Sequence, residues 1–243
     1  MQYIKVLATD STNTSLKEYF RKNPEIENTC LLTFNQTKGK GQRGESWHTK
    51  PHKNLTFSVL LKNINLNPQA YFKLNALISL SLQQVIQQEI PKSSIYIKWP
   101  NDILAGSQKI CGILIENILR EKKIKHSIIG IGLNVNQIDF PDLPKAGSLK
   151  TIVKKEFDLE NLLLKIVENL EQKVYENLQK PLDEILKLYE NHLFRINQIS
   201  TFEFPDSTHQ SGIIRGVSLS GKLLIEFEDE LKEVNLKEVK LLY

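Results

Sequence analysis

The spacing of apolar and polar positions changes several times along the chain, and each change marks an element. Residues 3–8 read as a short strand, after which Asp10 and Ser11 offer oxygens to cap a helix carrying Leu16, Tyr19 and Phe20 at helical spacing. The apolar run 30–34 and the alternating run 55–61 read as strands, and the polar, glycine-bearing stretch 36–53 between them reads as a long loop. Long loops inside compact domains tend to be functional. Asn67 and Pro68 open a second helix whose Leu74, Leu77, Ile78, Leu82 and Val85 form an apolar face until Pro91 stops it. Segments 96–99, 102–104, 110–118 and 128–134 then read as consecutive antiparallel strands, turning at 105–107 and at Lys122. Asp158 can cap a helix reaching about Leu178, and Pro181 starts another that carries Ile185, Leu188 and Tyr189. From about Ile196 the texture becomes short strands with tight turns, at 200–204, 212–217, 223–227 and 234–236, with a Ser220-Gly221 turn. Grouped strands with helices outside them predict an α+β main domain over 1–195 and a small β-barrel over 196–243. There is no internal repeat and no low-complexity linker.

Bulk composition narrows the function classes. A chain of 243 residues, 40% hydrophobic, can bury one substantial core and a small second one. Lys plus Arg number 32 against 28 Asp plus Glu; the net +4 is too small and too evenly spread to imply nucleic acid without a local basic patch. Cys30 and Cys111, the only cysteines, lie inside apolar runs and read as buried, reduced thiols, which favours the cytoplasm. No signal-peptide pattern and no apolar stretch near the roughly 20 residues of a membrane span is present, so a soluble, unexported protein is expected.

Chemistry concentrates in two places. Gly39-Lys40-Gly41-Gln42-Arg43-Gly44 matches the dinucleotide fingerprint in letters, but no helix follows and no Asp or Glu occurs between Glu45 and Glu89. A phosphate-binding P-loop fails too, because Glu45 stands where its lysine should be. What remains is a loop whose glycines let backbone approach a ligand closely while Lys40 and Arg43 bring positive charge. A flexible, solvated surface loop is the plain alternative. The second place is Lys98-Trp99-Pro100-Asn101-Asp102, between two strands and followed by Lys109 and Gly112. Pro100 fixes the backbone, so that a lysine just before it can be held to neutralise an anion. Alone, the pentapeptide could be an ordinary turn.

Taken together, Asp10-Ser11-Thr12-Asn13, Gln36 with the Gly39 to Gly44 loop and Trp47, Asn54-Leu55, the Lys98 to Asp102 motif, Lys109 with Gly112-Ile113-Leu114 and Glu116, and Gly130-Ile131-Gly132-Leu133-Asn134-Val135-Asn136 resemble the biotin protein ligase family in order and spacing. The resemblance spans roughly residues 5 to 136. The tail, with Gly212-Ile213-Ile214-Arg215-Gly216-Val217 and Gly221-Lys222-Leu223, is similar to that family's SH3-like C-terminal domain. The resemblance implies a class II synthetase-like mixed sheet flanked by helices. It also implies ATP-dependent activation of biotin to biotinyl-AMP with release of pyrophosphate, then transfer to a lysine of a biotin carboxyl carrier domain. Ser11, Thr12, Asn13 and Gln36 would contact biotin, and Lys40, Gly41 and Gln42 would fold over biotin and the adenylate. Lys98 would stand at the reacting carboxylate and α-phosphate. Gly39, Arg43, Gly44, Trp47, Asn101, Asp102, Lys109, Gly112 and Asn134 would support the two pockets. Many members carry Gly-Arg-Gly-Arg at the loop; here Lys40 and Gln42 replace both arginines, which implies a looser hold on phosphate. Some members carry an N-terminal DNA-binding domain. The motif here begins at Asp10, so no DNA binding is expected, while a homodimer is compatible with the family.

Joining a carboxylate to the α-phosphate of ATP brings two anions together, so fixed positive charge and exclusion of water are required. Lys98 is the first choice, with Lys40, Arg43 and Mg²⁺ assisting and the glycine loop closing over the anhydride. The acceptor lysine must attack as a neutral amine, for which Asp102 and Glu116 are the nearest candidate bases, each equally able to be structural. His48 and His52 have the i, i+4 spacing of helical zinc ligands, but Pro51 argues against a helix, and Lys122, Lys123 and Lys125 read as a solvated turn. Two rivals stand beside the ligase: a lipoate ligase-like acyltransferase and a non-catalytic biotin-binding regulator.

Overall fold

The computed structural model describes residues 1–228 and 230–243, with the Arg43 side chain outside the description. Strand β1 (Gln2–Val6) leads into helix α1 (Thr12–Lys22) and strand β2 (Thr29–Thr33). The stretch expected to be a bare loop folds into a tiny antiparallel hairpin, β3 (Gly39–Lys40) and β4 (Ser46–Trp47), joined by a 3₁₀ turn at Gln42–Gly44. Strand β5 (Leu55–Leu61) and helix α2 (Tyr71–Glu89) follow. Then come the meander β6 (Ile95–Lys98), β7 (Asp102–Ala105), β8 (Gln108–Arg120) and β9 (Lys123–Leu133). Its last turn places Glu121 and Lys122 at positive φ, as a tight two-residue hairpin requires. Helices α3 (Leu149–Val153), α4 (Leu159–Asn177) and α5 (Leu182–Glu190) precede strands β10 (Ile199–Glu203), β11 (His209–Val217), β12 (Leu223–Phe227), β13 (Glu230–Val234) and β14 (Lys240–Leu242). The architecture is the mixed α+β expected. Among the described residues no helix is long and apolar enough to cross a membrane.

Seven strands form the main sheet in the order β1-β2-β5-β9-β8-β7-β6, parallel only between β1 and β2. Its two faces differ in kind. On one, Leu55, Phe57, Val59 and Leu61 of β5 join Ile129, Ile131 and Leu133 of β9 in the large core beneath α2, α4 and α5. On the other, the alternate positions are Thr56 and Ser58, Gly130 and Gly132, and only a small cluster of Leu16, Leu31, Leu60 and Ile128 packs α1 onto the sheet. The α1 face is therefore where the sheet leaves room. The second sheet, antiparallel in the order β13-β12-β11-β10-β14, shares the large core through Phe202, Ile214, Ile225 and Phe227.

Several expectations shift in detail. Asp158 caps α4 as expected, accepting from the Glu160 and Asn161 amides. Ser11 occupies the N-cap of α1 without a side-chain bond, and Asp10 turns away to accept from Thr37 and Lys38. Leu188 is 48% exposed, so the buried face of α5 is Ile185, Leu186 and Tyr189. The strand expected at 234–236 covers only the last residue of β13; that strand exposes Glu230 through Glu233 on the sheet edge and so carries no apolar signature. Cys30 and Cys111 are buried and unbridged, and burial pushes the Cys30 thiol up to about 12.

A buried lysine ties the helical layer together. Lys73 on α2 donates to the carbonyls of Leu178 (2.5 Å) and Lys180, just beyond the C-terminus of α4. These carbonyls have no partner within the helix, and a cation there also suits the helix dipole. Lys73→Met is expected to strand both carbonyls and to lower unfolding stability by about 2 kcal/mol, read as a reduced midpoint in urea with an unchanged slope.

Candidate functional site

The open α1 face carries a cavity of about 240 Å³. Its floor is set by register: Gly112 of β8 faces Gly132 of β9, and Leu114 faces Gly130. A Cβ on Gly132 would fall 2.3 Å from the Trp47 ring, and one on Gly130 would fall 2.5 Å from Asn13 Oδ1. Trp47, brought in by β4, thus lies on bare backbone, with its buried indole N–H lacking an acceptor among the described residues. That donor can bond a ligand oxygen.

One wall is polar and uncharged. Gln36 Oε1 accepts from the Thr12 amide at the start of α1 (2.9 Å) and from the Thr12 hydroxyl (3.3 Å). The Ser58 hydroxyl lies 2.8 Å from Thr12 Oγ1 and 2.6 Å from Asn13 Oδ1. Asn13 Nδ2 donates to Glu116 Oε2 (3.0 Å), and Glu116 also pairs with Lys17 (2.9 Å). These bonds fix which end of the Asn13 amide is donor and which is acceptor.

The opposite wall is charged. Asp102 faces the cavity and holds Lys109 at 2.7 Å and Lys98 at 3.8 Å. Burial holds the Lys98 ammonium below its ordinary value; Asp102 opposes that shift, and Lys109 and Lys145 reinforce it. Lys40 reaches Thr14 at 3.5 Å, and Lys237, from the connection between β13 and β14, stands 4.0 Å from Glu45. Leu236 and Lys237 also line a second cavity of about 390 Å³ between the two sheets, which has Lys98, Trp99, Lys145 and Tyr243 on its wall.

The structure gathers most of the residues singled out from sequence. Ser11, Thr12, Asn13, Gln36, Lys40, Gly41, Gln42, Trp47, Asn101, Asp102, Lys109 and Gly112 all line the first cavity. Lys98 does not; it borders the second cavity and reaches the first only through Asp102. Lys109 is the motif lysine on the wall itself. Gly39 has the Trp47 carbonyl and Gln36 amide packed where a Cβ would go, and Gly44, at φ 86°, closes the 3₁₀ turn. Asn101 binds β8 by donating to the Ile113 carbonyl (2.7 Å), and Asn134 donates to the Gly147 carbonyl (3.0 Å) away from the cavity. The Arg43 side chain lies outside the described residues. Sequence reasoning missed Ser58, hidden in an apolar strand, and the C-terminal pair Leu236 and Lys237. It quoted Gly130 and Gly132 without assigning them a role; their i, i+2 spacing in a strand was the available signal. Neither candidate base is idle, since Asp102 holds two lysines and Glu116 holds Lys17 and Asn13.

Gly132→Ala is expected to lift the indole off the sheet. In a Trp99→Phe background, where Trp47 is the sole tryptophan, emission should shift to longer wavelength while the far-ultraviolet spectrum is kept.

The model of the Biotin/lipoate A/B protein ligase family matches residues 5–134, taking in the hairpin, the Lys98 to Asp102 motif and the glycine-bearing floor. The bifunctional ligase/repressor BirA of Bacillus subtilis (strain 168) is 28% identical over 235 residues, covering 95% of this chain and 71% of that protein. The biotin–acetyl-CoA-carboxylase ligase of Mycobacterium tuberculosis is 25% identical over 224 residues, covering 91% and 82%. Among solved structures, the biotin protein ligase from Aquifex aeolicus in complex with biotin and ATP is similar with a TM-score of 0.78 at 27% identity, covering 99% of this chain and 98% of that one. The chain belongs to the biotin/lipoate A/B protein ligase family.

Proposed function

We propose that this protein is a biotin protein ligase: it activates biotin with ATP to biotinyl-AMP, releasing pyrophosphate, and transfers the biotinyl group to a lysine of a biotin carboxyl carrier domain such as that of acetyl-CoA carboxylase. The observation that carries the reading is the division of one cavity into a neutral hydrogen-bonding wall and a cationic wall. A ureido ring offers one acceptor and two donors without charge, matching Thr12, Asn13, Gln36 and Ser11. A valeryl chain suits Leu114 and the glycine floor. Lipoate's dithiolane ring has no N–H or C=O with which to bond that polar wall, so the same site favours biotin over lipoate.

In the first step a biotin carboxylate oxygen bonds to the α-phosphorus as pyrophosphate leaves. Lys109, on the wall, is the residue we place at the meeting of these anions. Lys98, singled out from sequence, acts one layer back, by holding Asp102 and keeping that carboxylate from repelling the incoming charge. Magnesium accompanies the nucleotide's phosphates in this reading and would neutralise part of their charge. Among the described residues no three His, Cys, Asp or Glu side chains cluster as metal ligands, and the lysines of the wall carry the positive charge that the protein itself supplies. In the second step the acceptor amine bonds to the acyl carbon and AMP leaves. Asp102 and Glu116 are held in ion pairs, which leaves neither as a free base. We read residues 1–195 as the catalytic unit and 196–243 as an SH3-like module.

The test is incorporation of labelled biotin into a carrier domain with ATP and Mg²⁺, with lipoate in parallel and pyrophosphate release measured. Biotin should be preferred at least about 100-fold. Preference for lipoate, or no pyrophosphate with biotin, overturns the reading. Lys109→Ala should slow adenylate formation by about 100- to 1000-fold and Lys98→Ala by about 10-fold; the reverse order would return the central role to Lys98. Because the Lys98 ammonium is held below its ordinary value, its charge is lost sooner as pH rises, and Asp102 then becomes less compensated. Lys98→Arg stays protonated and should move the alkaline limb of pyrophosphate release to higher pH.

A further inference from the structure

Glu116 grips the uncharged wall from behind. It lies outside the lining of the first cavity and borders the groove beside α1 instead. From β8 it meets two residues one helical turn apart on α1: Asn13 Nδ2 donates to one carboxylate oxygen at 3.0 Å and Lys17 Nζ to the other at 2.9 Å. A carboxylate in an ion pair only accepts, so the Asn13 amide turns its nitrogen to Glu116 and its oxygen to Ser58. Asn13 is buried, which leaves water no part in that choice.

Proton count carries that orientation along the wall. Ser58 has one hydroxyl proton and two oxygens within reach, Asn13 Oδ1 at 2.6 Å and Thr12 Oγ1 at 2.8 Å. Asn13 Oδ1 has no proton to give, so Ser58 donates to it. The 2.8 Å contact is then made by the Thr12 hydroxyl donating to Ser58, and its 3.3 Å contact with Gln36 Oε1 is the lesser branch of the same proton. The hydroxyl protons of the chain thus point toward Glu116. Thr12 Oγ1 and Gln36 Oε1, whose residues both line the cavity, are left side by side as acceptors that a ligand N–H can join. We propose that Glu116 is a positioning residue that sets the hydrogen-bond polarity of this wall and so makes it select a ligand N–H of the ureido type. This inference rests on the ligase reading.

Glu116→Gln keeps the shape of the side chain and leaves it one oxygen. Lys17 only donates, so it takes that oxygen and turns the new amide nitrogen to Asn13. The Asn13 amide then flips, Ser58 donates to Thr12, and the Thr12 proton closes onto Gln36 Oε1, so the acceptor pair is lost without loss of packing. Adding Lys17→Met frees the new amide, and the long contact of Asn13 Nδ2 with the Leu114 carbonyl, 3.4 Å, tips the wall back. The test is calorimetric binding to the full-length protein, without nucleotide, of biotin and of the two cyclic carbamate analogues in which one or the other ureido N–H is replaced by oxygen. The wild type should bind one carbamate at least about 10-fold more weakly than biotin. In Glu116→Gln that ratio should fall to about twofold, because biotin binding weakens about fivefold, and Lys17→Met with Glu116→Gln should regain most of the wild-type ratio. Melting temperatures and the KM for ATP should stay at wild-type values. An unchanged ratio in Glu116→Gln, equal weakening of biotin and both carbamates, or no recovery on adding Lys17→Met overturns the role of Glu116. So does a wild type that binds biotin and both carbamates alike. If the wild type binds no biotin and forms no biotinyl-AMP, the ligase reading fails and takes this inference with it; if the wild type is an active ligase and Glu116→Gln discriminates as it does, only the role of Glu116 falls.

Discussion

The absence of side chains at Gly112, Gly130 and Gly132 decides what can stand on the α1 face of the sheet. These residues occupy consecutive cross-strand positions of β8 and β9, so the floor is bare over the span where Trp47 and Asn13 come down onto it. The constraint propagates outward. Trp47 is paired with Gly39 across the hairpin, and Gly39 has the Trp47 carbonyl 2.3 Å from where a Cβ would be, so indole, hairpin and floor are set by one another's missing atoms. A slip of one residue between β8 and β9 would turn isoleucines into the cavity and send glycines to the core. The large core beneath Ile129, Ile131 and Leu133 holds that register in place.

Charge is arranged with similar economy. An isolated carboxylate or ammonium is costly to remove from water, and the half-buried Asp102 is offset by two lysines of the same motif region. The cluster carries more positive than negative charge before any ligand enters, and an anion completes it. The uncharged wall has its own closure: Ser58, Gln36 and Glu116 each satisfy an atom of Thr12 or Asn13. A ligand there meets groups already oriented, which lowers the cost of ordering them on binding.

Much of this was legible from the chain because the informative signals were local. The caps at Asn67 and Asp158 and the meander turns all act within a few residues. The contacts that escaped reading are those made by register or by the return of distant chain. Ser58 reads as one polar residue in an apolar strand until β2, β5 and β9 are paired and its face is known. Lys98 stands out beside Pro100, whereas Lys109 looks like ordinary hairpin. Their places are exchanged by the antiparallel step from β7 to β8, which puts Asp102 opposite Gly112 and swings Lys109 onto the same carboxylate. Nothing in periodicity announces that residue 237 lies near residue 45.

That last contact belongs to a wider pattern in which the second sheet is built into the site. The Trp99 indole donates to the Gly221 carbonyl at 2.9 Å, and Phe72 of α2 packs against Gly221 where a Cβ would be. The Ile97 amide and carbonyl bond to His192 and Phe194, on the segment that leads into the second sheet. The pentapeptide from Lys98 to Asp102 thus faces two ways, with Asn101 and Asp102 on the cavity and Trp99 on the C-terminal turn. A displacement of the second sheet would pull on the strand end that carries Asp102, and with it on Lys98 and Lys109. Local sequence therefore accounts for the motif only in part: Trp99 is held by the sheet that follows it some 120 residues later.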